Sequence, residues 1–570
     1  MPHSPARRWF ASSGSQSICR VGCARRPFSQ DWQHHLAAGG QSPRCVRWVM
    51  FVLFVVLASG VARAEPPVNG GDGIVEQKLS PEALAAWIDG RFEESWKKQG
   101  IKPADPTNDS EFVRRVFLDL IGRIPSVAEA RAFFEDARPD KRHQLVEELL
   151  TRGAFAAHLA NTWRDLLLAG SATADAATQA PALETWLKLR FSANMPYDQV
   201  VNELLTAALD RNNPRLPSPL AFYQAAEFKP EQLAANAARL FLGVQVQCAQ
   251  CHDHPFSEWK QPQFWSFAAF FSNLDAPRGD GSLPPLSEGL EEIRIPGKDV
   301  LVPALFLDGS QPERTTGAGK RQLVARWITA PQNPFFARAV VNRIWGSFFG
   351  RGFVQPVDDL DPSHPPVYPE VFDALATQFR LHKYDMKYLV RVMTATRVYQ
   401  LSGRGASPDG QELSAAHFAR MPLRRMASDQ VYASFVQATG LRDAAPNPAS
   451  PGEGAARAEF QTKFADSAVA PTEIETTILQ ALSMMNGRYM AAATDLEQSE
   501  FLAVVADAPY LDDAGRIEAL FLAALSRSPE PAEMELFLDD KTSADPTARK
   551  AALADIFWTL LNSAEFLLNH

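Results

Sequence analysis

FVRRVFLDLIGRIPS, residues 112–126, decides how the rest of the chain is read. Phe112, Val116, Phe117, Leu120 and Ile121 recur at helical spacing and mark one buried stripe. Ile124-Pro125-Ser126 ends that helix and starts another, because proline cannot continue a helix and a serine hydroxyl can accept an orphan N–H. Glu129 stands where a capping box needs it. The same pattern runs outward. Leu84, Trp87, Ile88 and Phe92 form a stripe upstream; downstream, Pro139-Asp140 opens a helix with Leu145, Val146, Leu149 and Leu150 inward. Phe155, Leu159, Trp163, Leu166 and Leu167 line a further helix. Pro230 fits a first helical position, ahead of Leu233, Ala237, Leu240 and Phe241, with Gly243 near the helix end.

Between about 276 and 320 proline, glycine and serine crowd in, and IRIPGKDV and LVPALF read as the strands of the chain. Helical stripes resume from about 321 and run to the tail, interrupted by loops at 403–412 and 442–457. The expected fold is mainly α: a helical domain over 76–275 and another over 321–570, joined by a short β-containing, Pro/Gly-rich segment at 276–320.

Of the 570 residues 46% are apolar and 22% charged, ordinary values for a globular protein. The net charge of -9 is unevenly placed. Residues 1–64 hold eight Arg and one acid, Asp31, which leaves -16 on the remaining 506 residues. So acidic a body lacks the Lys/Arg footprint that nucleic-acid binding requires.

The basic segment reads as an address. Arg44 and Arg47 precede the apolar run Trp48–Ala58, followed by Ala62-Arg63-Ala64, so basic flank, apolar core and A-x-A site occur in order. Trp48 to Ala62 is 15 residues, short of the ~20 a spanning helix needs. The expectation is a signal peptide and N-terminal extension over 1–64, a flexible leader over 65–75, export to the periplasm or cell surface, and no transmembrane span after cleavage. Cys19, Cys23 and Cys45 then leave with the leader, and the mature chain keeps only Cys248 and Cys251. No disulfide framework is available to it.

Cys248-Ala-Gln-Cys251-His252 is a CxxCH motif, which in an exported chain reads as c-type haem attachment. Two thiols three positions apart can each form a thioether with a vinyl group on one porphyrin edge, and the next residue presents an imidazole to the iron. Cys248 and Cys251 are thus the candidate attachment residues, His252 the candidate iron ligand, and haem c the cofactor. Three other chemistries fit the residues: a redox-active CxxC, a structural disulfide, and a zinc site from Cys248, Cys251, His252 and His254. The flanks are helical with no parallel sheet for the first, and four ligands within seven residues are cramped for the last. Asp253 and His254 suit loop-fixing roles, and any distal ligand must come from elsewhere; His143, His158 and Met195 are candidates, but ordinary packing explains each of them better, and a five-coordinate iron fits as well. Asp358, Asp359 and Asp361 beside His364 read as turn and cap residues, since cation-loop spacing is missing. Arg343 and Arg351 suit an anion or an ordinary salt bridge.

GVQVQCAQCHDHPFSEW (243–259), with FVRRVFLDLIGRIPS and TWRDLLL (162–168), resembles the N-terminal module of the planctomycete cytochrome-like proteins, domain of unknown function 1549. NPFFARAVVNRIWGSFFGRGFVQPVDDLDPSHPP (333–366), YQLS (399–402), MPLRRM (421–426), LQALSMMNGRYM (479–490) and LLNSAEFLLNH (560–570) resemble its usual companion, domain of unknown function 1553. One departure is His364, where the similar S-x-P-P stretch carries Asn. The resemblance implies an exported protein whose CxxCH holds haem. The expected function is a redox or electron-transfer role with a redox partner of basic surface. The alternative is a cell-surface interaction or scaffold protein, linked to polysaccharide use, in which CxxC is a structural disulfide or metal clip.

Overall fold

A computed structural model of the chain describes residues 77–170, 173–208, 216–272, 292–313, 319–403, 415–441, 487–539 and 545–569. The expected signal segment and leader, the loop at 442–457, all of the loop at 403–412 except Gly403, and residues 276–291 lie outside the described residues.

The protein is mostly helical. Among the described residues fourteen α-helices lead up to residue 395: α1 (Pro81–Gln99), α2 (Asp109–Ile121), α3 (Val127–Glu135), α4 (Lys141–Thr151), α5 (Gly153–Leu168), α6 (Ala174–Ser192), α7 (Tyr197–Thr206), α8 (Leu220–Ala225), α9 (Pro230–Ala237), α10 (Gln261–Ala268), α11 (Lys320–Ile328), α12 (Phe336–Phe349), α13 (Pro369–Leu381) and α14 (Met386–Ala395). The longer helices beyond are Ser428–Thr439, Asp513–Leu525 and Pro546–Leu561. The expected strands form a small hairpin, β1 (Ile293–Arg294) antiparallel to β2 (Leu301–Val302). A second pair, β3 (Arg424–Arg425) and β4 (Leu568–Asn569), ties the C-terminus back.

The junction between α2 and α3 is built as its sequence dictates. Gly122 closes α2 with a φ of 77°, and the Ser126 hydroxyl and Glu129 carboxylate complete a capping box. Burial alone would raise the Glu129 carboxyl, but hydrogen bonds from Arg123, the Ser126 N–H and Arg152 outweigh it and bring it down to about 2.

The apolar clusters do not follow the division of the chain at 276–320. One core runs from Leu84 to Met421, with Phe92 of α1 stacked at 6.1 Å on Trp345 of α12 and both rings against Phe418. The second gathers residues 426–566 and takes Leu118 and Ile124 from the N-terminal part. The described residues all belong to one compact unit.

α2 joins these cores, with ten of its thirteen residues buried, including three charged ones. The Arg114 guanidinium donates to the backbone oxygens of Ala524, Glu565, Phe566 and Leu568, carbonyls left over at two helix ends. Arg115 donates to Tyr399 and Leu401 oxygens and pairs at 2.8 Å with Glu111, which also accepts from Gly403 N–H and Ser402. Asp119 accepts from Tyr399, Arg424 and Asn569.

Two outcomes are expected. Arg114→Ala removes the donor to four backbone carbonyls, those of Ala524 and Phe566 buried, and should cost about 3–5 kcal/mol in urea unfolding, with a cost near zero excluding this clamp. Glu129 stabilises above its unfolded pKa of 4.5, and that contribution is lost as pH falls towards about 2. Glu129→Gln should therefore be less stable than wild type near neutrality and indistinguishable at pH about 2, read from urea midpoints at both ends.

Candidate functional site

The segment carrying CxxCH begins at the end of α9. Pro230 takes the first helical position, as its fixed φ favours. The last turn, Ala238–Leu242, widens into a π-helix that the sequence pattern does not signal. Gly243 ends it at φ 63°, and its carbonyl accepts from the Leu360 N–H at 2.7 Å. A Cβ there would lie 3.0 Å from Leu360, so both the positive φ and the close approach require glycine. Val244 and Val246 plug into the core, and Gln247–Gln250 winds as a 3₁₀ turn around the buried Ala249. Three residues make one 3₁₀ turn, so Cys248 and Cys251 fall on one face. Both thiols are exposed and unpaired.

α10 holds this turn from behind. Gln261 donates to the carbonyls of Gln250 and Cys251 at 3.1 and 2.8 Å, and the Trp265 indole donates to Gln250 at 2.9 Å. Asp253 accepts from the Gln261 N–H and pairs with Lys260, which keeps its carboxyl below the usual range. Neither Gln261 nor Trp265 was marked by the sequence, because a side chain that pins a loop carries no periodic signature.

The two histidines differ in their protonation pattern. Nδ1 of His252 lies 2.7 Å from the Asp253 carbonyl. A carbonyl only accepts, so Nδ1 carries the proton and Nε2 keeps a lone pair in the neutral ring. In His254 the roles reverse: Nδ1 accepts the Phe256 N–H at 3.3 Å, while its own backbone N–H bonds Trp259. His254 is thus a loop-fixing residue, and His252 presents a free lone pair.

A groove of about 1140 Å³ is lined by residues that precede and follow the motif in the chain, and not by Cys248, Cys251 or His252. Val244 and Pro255–Trp259 line one side, Leu360–Pro366 the other, and Phe335, Arg338 and Phe372 lie between. Phe256 is 88% exposed there.

Residues 87–276 match the family described as a protein of unknown function, DUF1549, and residues 320–463 match that described as a protein of unknown function, DUF1553. The chain is a DUF1549–DUF1553 protein. No curated protein and no solved structure matches it.

In this DUF1549–DUF1553 chain the groove draws walls from both matched segments, the motif side from the first and the 334–372 side from the second. The other candidates are dispersed. Asp358 is taken by Arg239 and Arg343, the latter buried and also bonded to the Leu240 carbonyl, so Arg343 is an internal salt-bridge residue. Asp361 caps its own turn by accepting from Ser363 N–H and Oγ; these bonds and the nearby His364 and His254 outweigh burial and hold its carboxyl low. His158 packs against Gly122 with its imidazole pKa lowered by burial, His143 is exposed on α4, and Met195 packs on the core edge. Among the described residues no group of three or more His, Cys, Asp or Glu could hold a metal ion, and no helix is long and apolar enough to cross a membrane.

Gln261→Ala removes two of the three side-chain bonds that hold the 250–251 carbonyls and leaves the one from Trp265. Hydrogen exchange at residues 247–254 should speed up at least several-fold while α12 exchange is unchanged; equal protection in the variant would deny Gln261 this role.

Proposed function

We propose that this is an exported c-type haem protein with a redox or electron-transfer role, in which Cys248 and Cys251 carry the thioethers and His252 ligates iron through Nε2. The observation that carries the reading is the Nδ1–carbonyl bond of His252, the arrangement that fixes an imidazole for metal binding through its other nitrogen. It is supported by the two accessible thiols on one face of a pinned turn, a donor set that fits covalent attachment at a porphyrin edge. A bound haem would supply one-electron chemistry; the protein's part is to hold the turn, orient the imidazole and present an acidic surface to a basic partner.

A second reading, a surface interaction or scaffold protein, is favoured by one feature: the groove with exposed Phe256 beside Trp259 and the prolines of 362–366. It predicts a partner on that face rather than a cofactor on the thiols.

Expression of the exported chain with haem-maturation machinery should give a pyridine haemochrome of the two-thioether type. Cys248→Ala/Cys251→Ala should lose covalent haem, and His252→Ala should keep it with altered axial ligation. A colourless wild-type product of normal fold would overturn the haem reading.

A further inference from the structure

We propose that a second cavity, walled by α2, α5, α12, α14 and the β3–β4 pair, is a binding site for a small neutral phenol. The phenol's hydroxyl bonds the His158 imidazole, and its ring lies among Phe155, Phe348, Met386 and Met426. The site is independent of the haem reading and shares no lining residue with the groove at 244–372. Asp119 and His158 come from the first matched segment, Ser347 and Arg424 from the second, and Asn569 from the C-terminal strand. The cavity volume is about 220 Å³. That exceeds the ~150 Å³ of an apolar cavity that takes benzene and falls below the ~300 Å³ at which ordinary ligand pockets begin. One substituted ring is the matching size. Two phenylalanine faces and two polarisable thioethers favour an aromatic guest over an alkyl one.

The polar groups of the wall select the substituent. The Ser347 and Thr162 hydroxyls donate to helix carbonyls, and Gln430 spends both ends of its amide on the backbone of Leu118 and Ala427. Arg424 pairs at 3.0 Å with Asp119, both side chains buried, and Arg425 has contacts of its own. An anionic guest would meet a buried pair that is already neutral and would lose its hydration unrewarded, so the guest is neutral. His158 is placed differently. Its Nδ1 edge lies against Gly122, where a Cβ would come within 2.4 Å, and the ring donates to the Asp119 carbonyl, in the last turn of α2. Burial lowers its pKa and keeps the ring neutral near pH 7. The proton is then on Nδ1, and Nε2 offers a lone pair to the cavity that His158 lines. A phenolic hydroxyl donates to such a lone pair, and its oxygen can accept in turn. Two buried atoms of wall residues also lack partners among the described residues, the donor Arg424 Nε and the acceptor Asn569 Oδ1. Polar atoms left so are costly until a bound group answers them.

Titration calorimetry on the full chain with p-cresol, toluene and p-toluate tests the assignment. p-Cresol should bind at one site per chain, toluene about ten-fold or more weakly, and p-toluate not measurably. His158→Asn keeps a donor near the Nδ1 position and deletes Nε2, so p-cresol should fall to the affinity of toluene while toluene is unchanged. Ser347→Trp, at the exposed rim, should abolish binding of both with the urea midpoint unchanged. Equal affinity for p-cresol and toluene in the wild-type chain, or p-cresol binding untouched by His158→Asn, would overturn the hydrogen bond. No binding by the wild-type chain, or full binding by Ser347→Trp, would overturn the site. Should a variant fail to fold, the ligand series on the wild-type chain decides alone.

Discussion

A charged helix cannot lie at the centre of a protein unless every charge is answered, and α2 lies at the centre. Arg114 and Arg115 are fully buried and Glu111 almost so. Each guanidinium has left water, a transfer that costs many kcal/mol unless acceptors replace the lost hydration. Arg114 finds its acceptors on 524–568, and Arg115 on 399–401 and within its own helix. Segments some 280 to 450 residues away along the chain are therefore obligatory partners of one helix. The same constraint explains why the two apolar cores interlock at α2, which gives Phe112, Val116 and Phe117 to one and Leu118 to the other.

The placement of the candidate site follows from this interlocking. With 333–401 held against the N-terminal helices, Leu360 comes to rest on Gly243 and Asp358 on Arg239 and Arg343. Val244 and Pro255–Trp259, on either side of the CxxCH turn in the chain, then share a groove with residues of the other matched family segment. The pinning bonds from α10 divide labour within the motif: Asp253 and His254 spend their polar groups on the loop, while the thiols and one nitrogen of His252 are left over. Residues left over after the fold has satisfied its own needs are the ones available for chemistry.

Much of the local structure was legible. The capping box at Ser126 and Glu129, the proline opening α9, the glycine closing it and the hairpin at 293–302 all rest on interactions within a few residues, which sequence displays directly. The reading of α2 as a helix with one buried stripe was incomplete. Its arginines look like a solvated face, and nothing local reveals that distant carbonyls await them. Arg343 is a similar case: either an anion site or a salt bridge suited the sequence, and burial beside Asp358 decided for the bridge. The π turn before Gly243 also left no pattern, because it arises from how the segment must meet its neighbours.

The amino-acid order alone determined the helical class, several helix starts and caps and the identity of the motif, because capping, periodicity and the Cys-x-x-Cys-His spacing are short-range properties. Only the tertiary structure decided which histidine of the motif keeps a free lone pair, where the three aspartates go, and that a groove lies between the two halves. Those outcomes depend on hydrogen-bond partners and buried surfaces brought together from more than a hundred residues away, as with Arg239 and Asp358, or from across a loop, as with Gln261 and Cys251. A linear chain carries the donors and acceptors but not their pairing, which is set by the requirement that every buried charge and carbonyl find a partner at once.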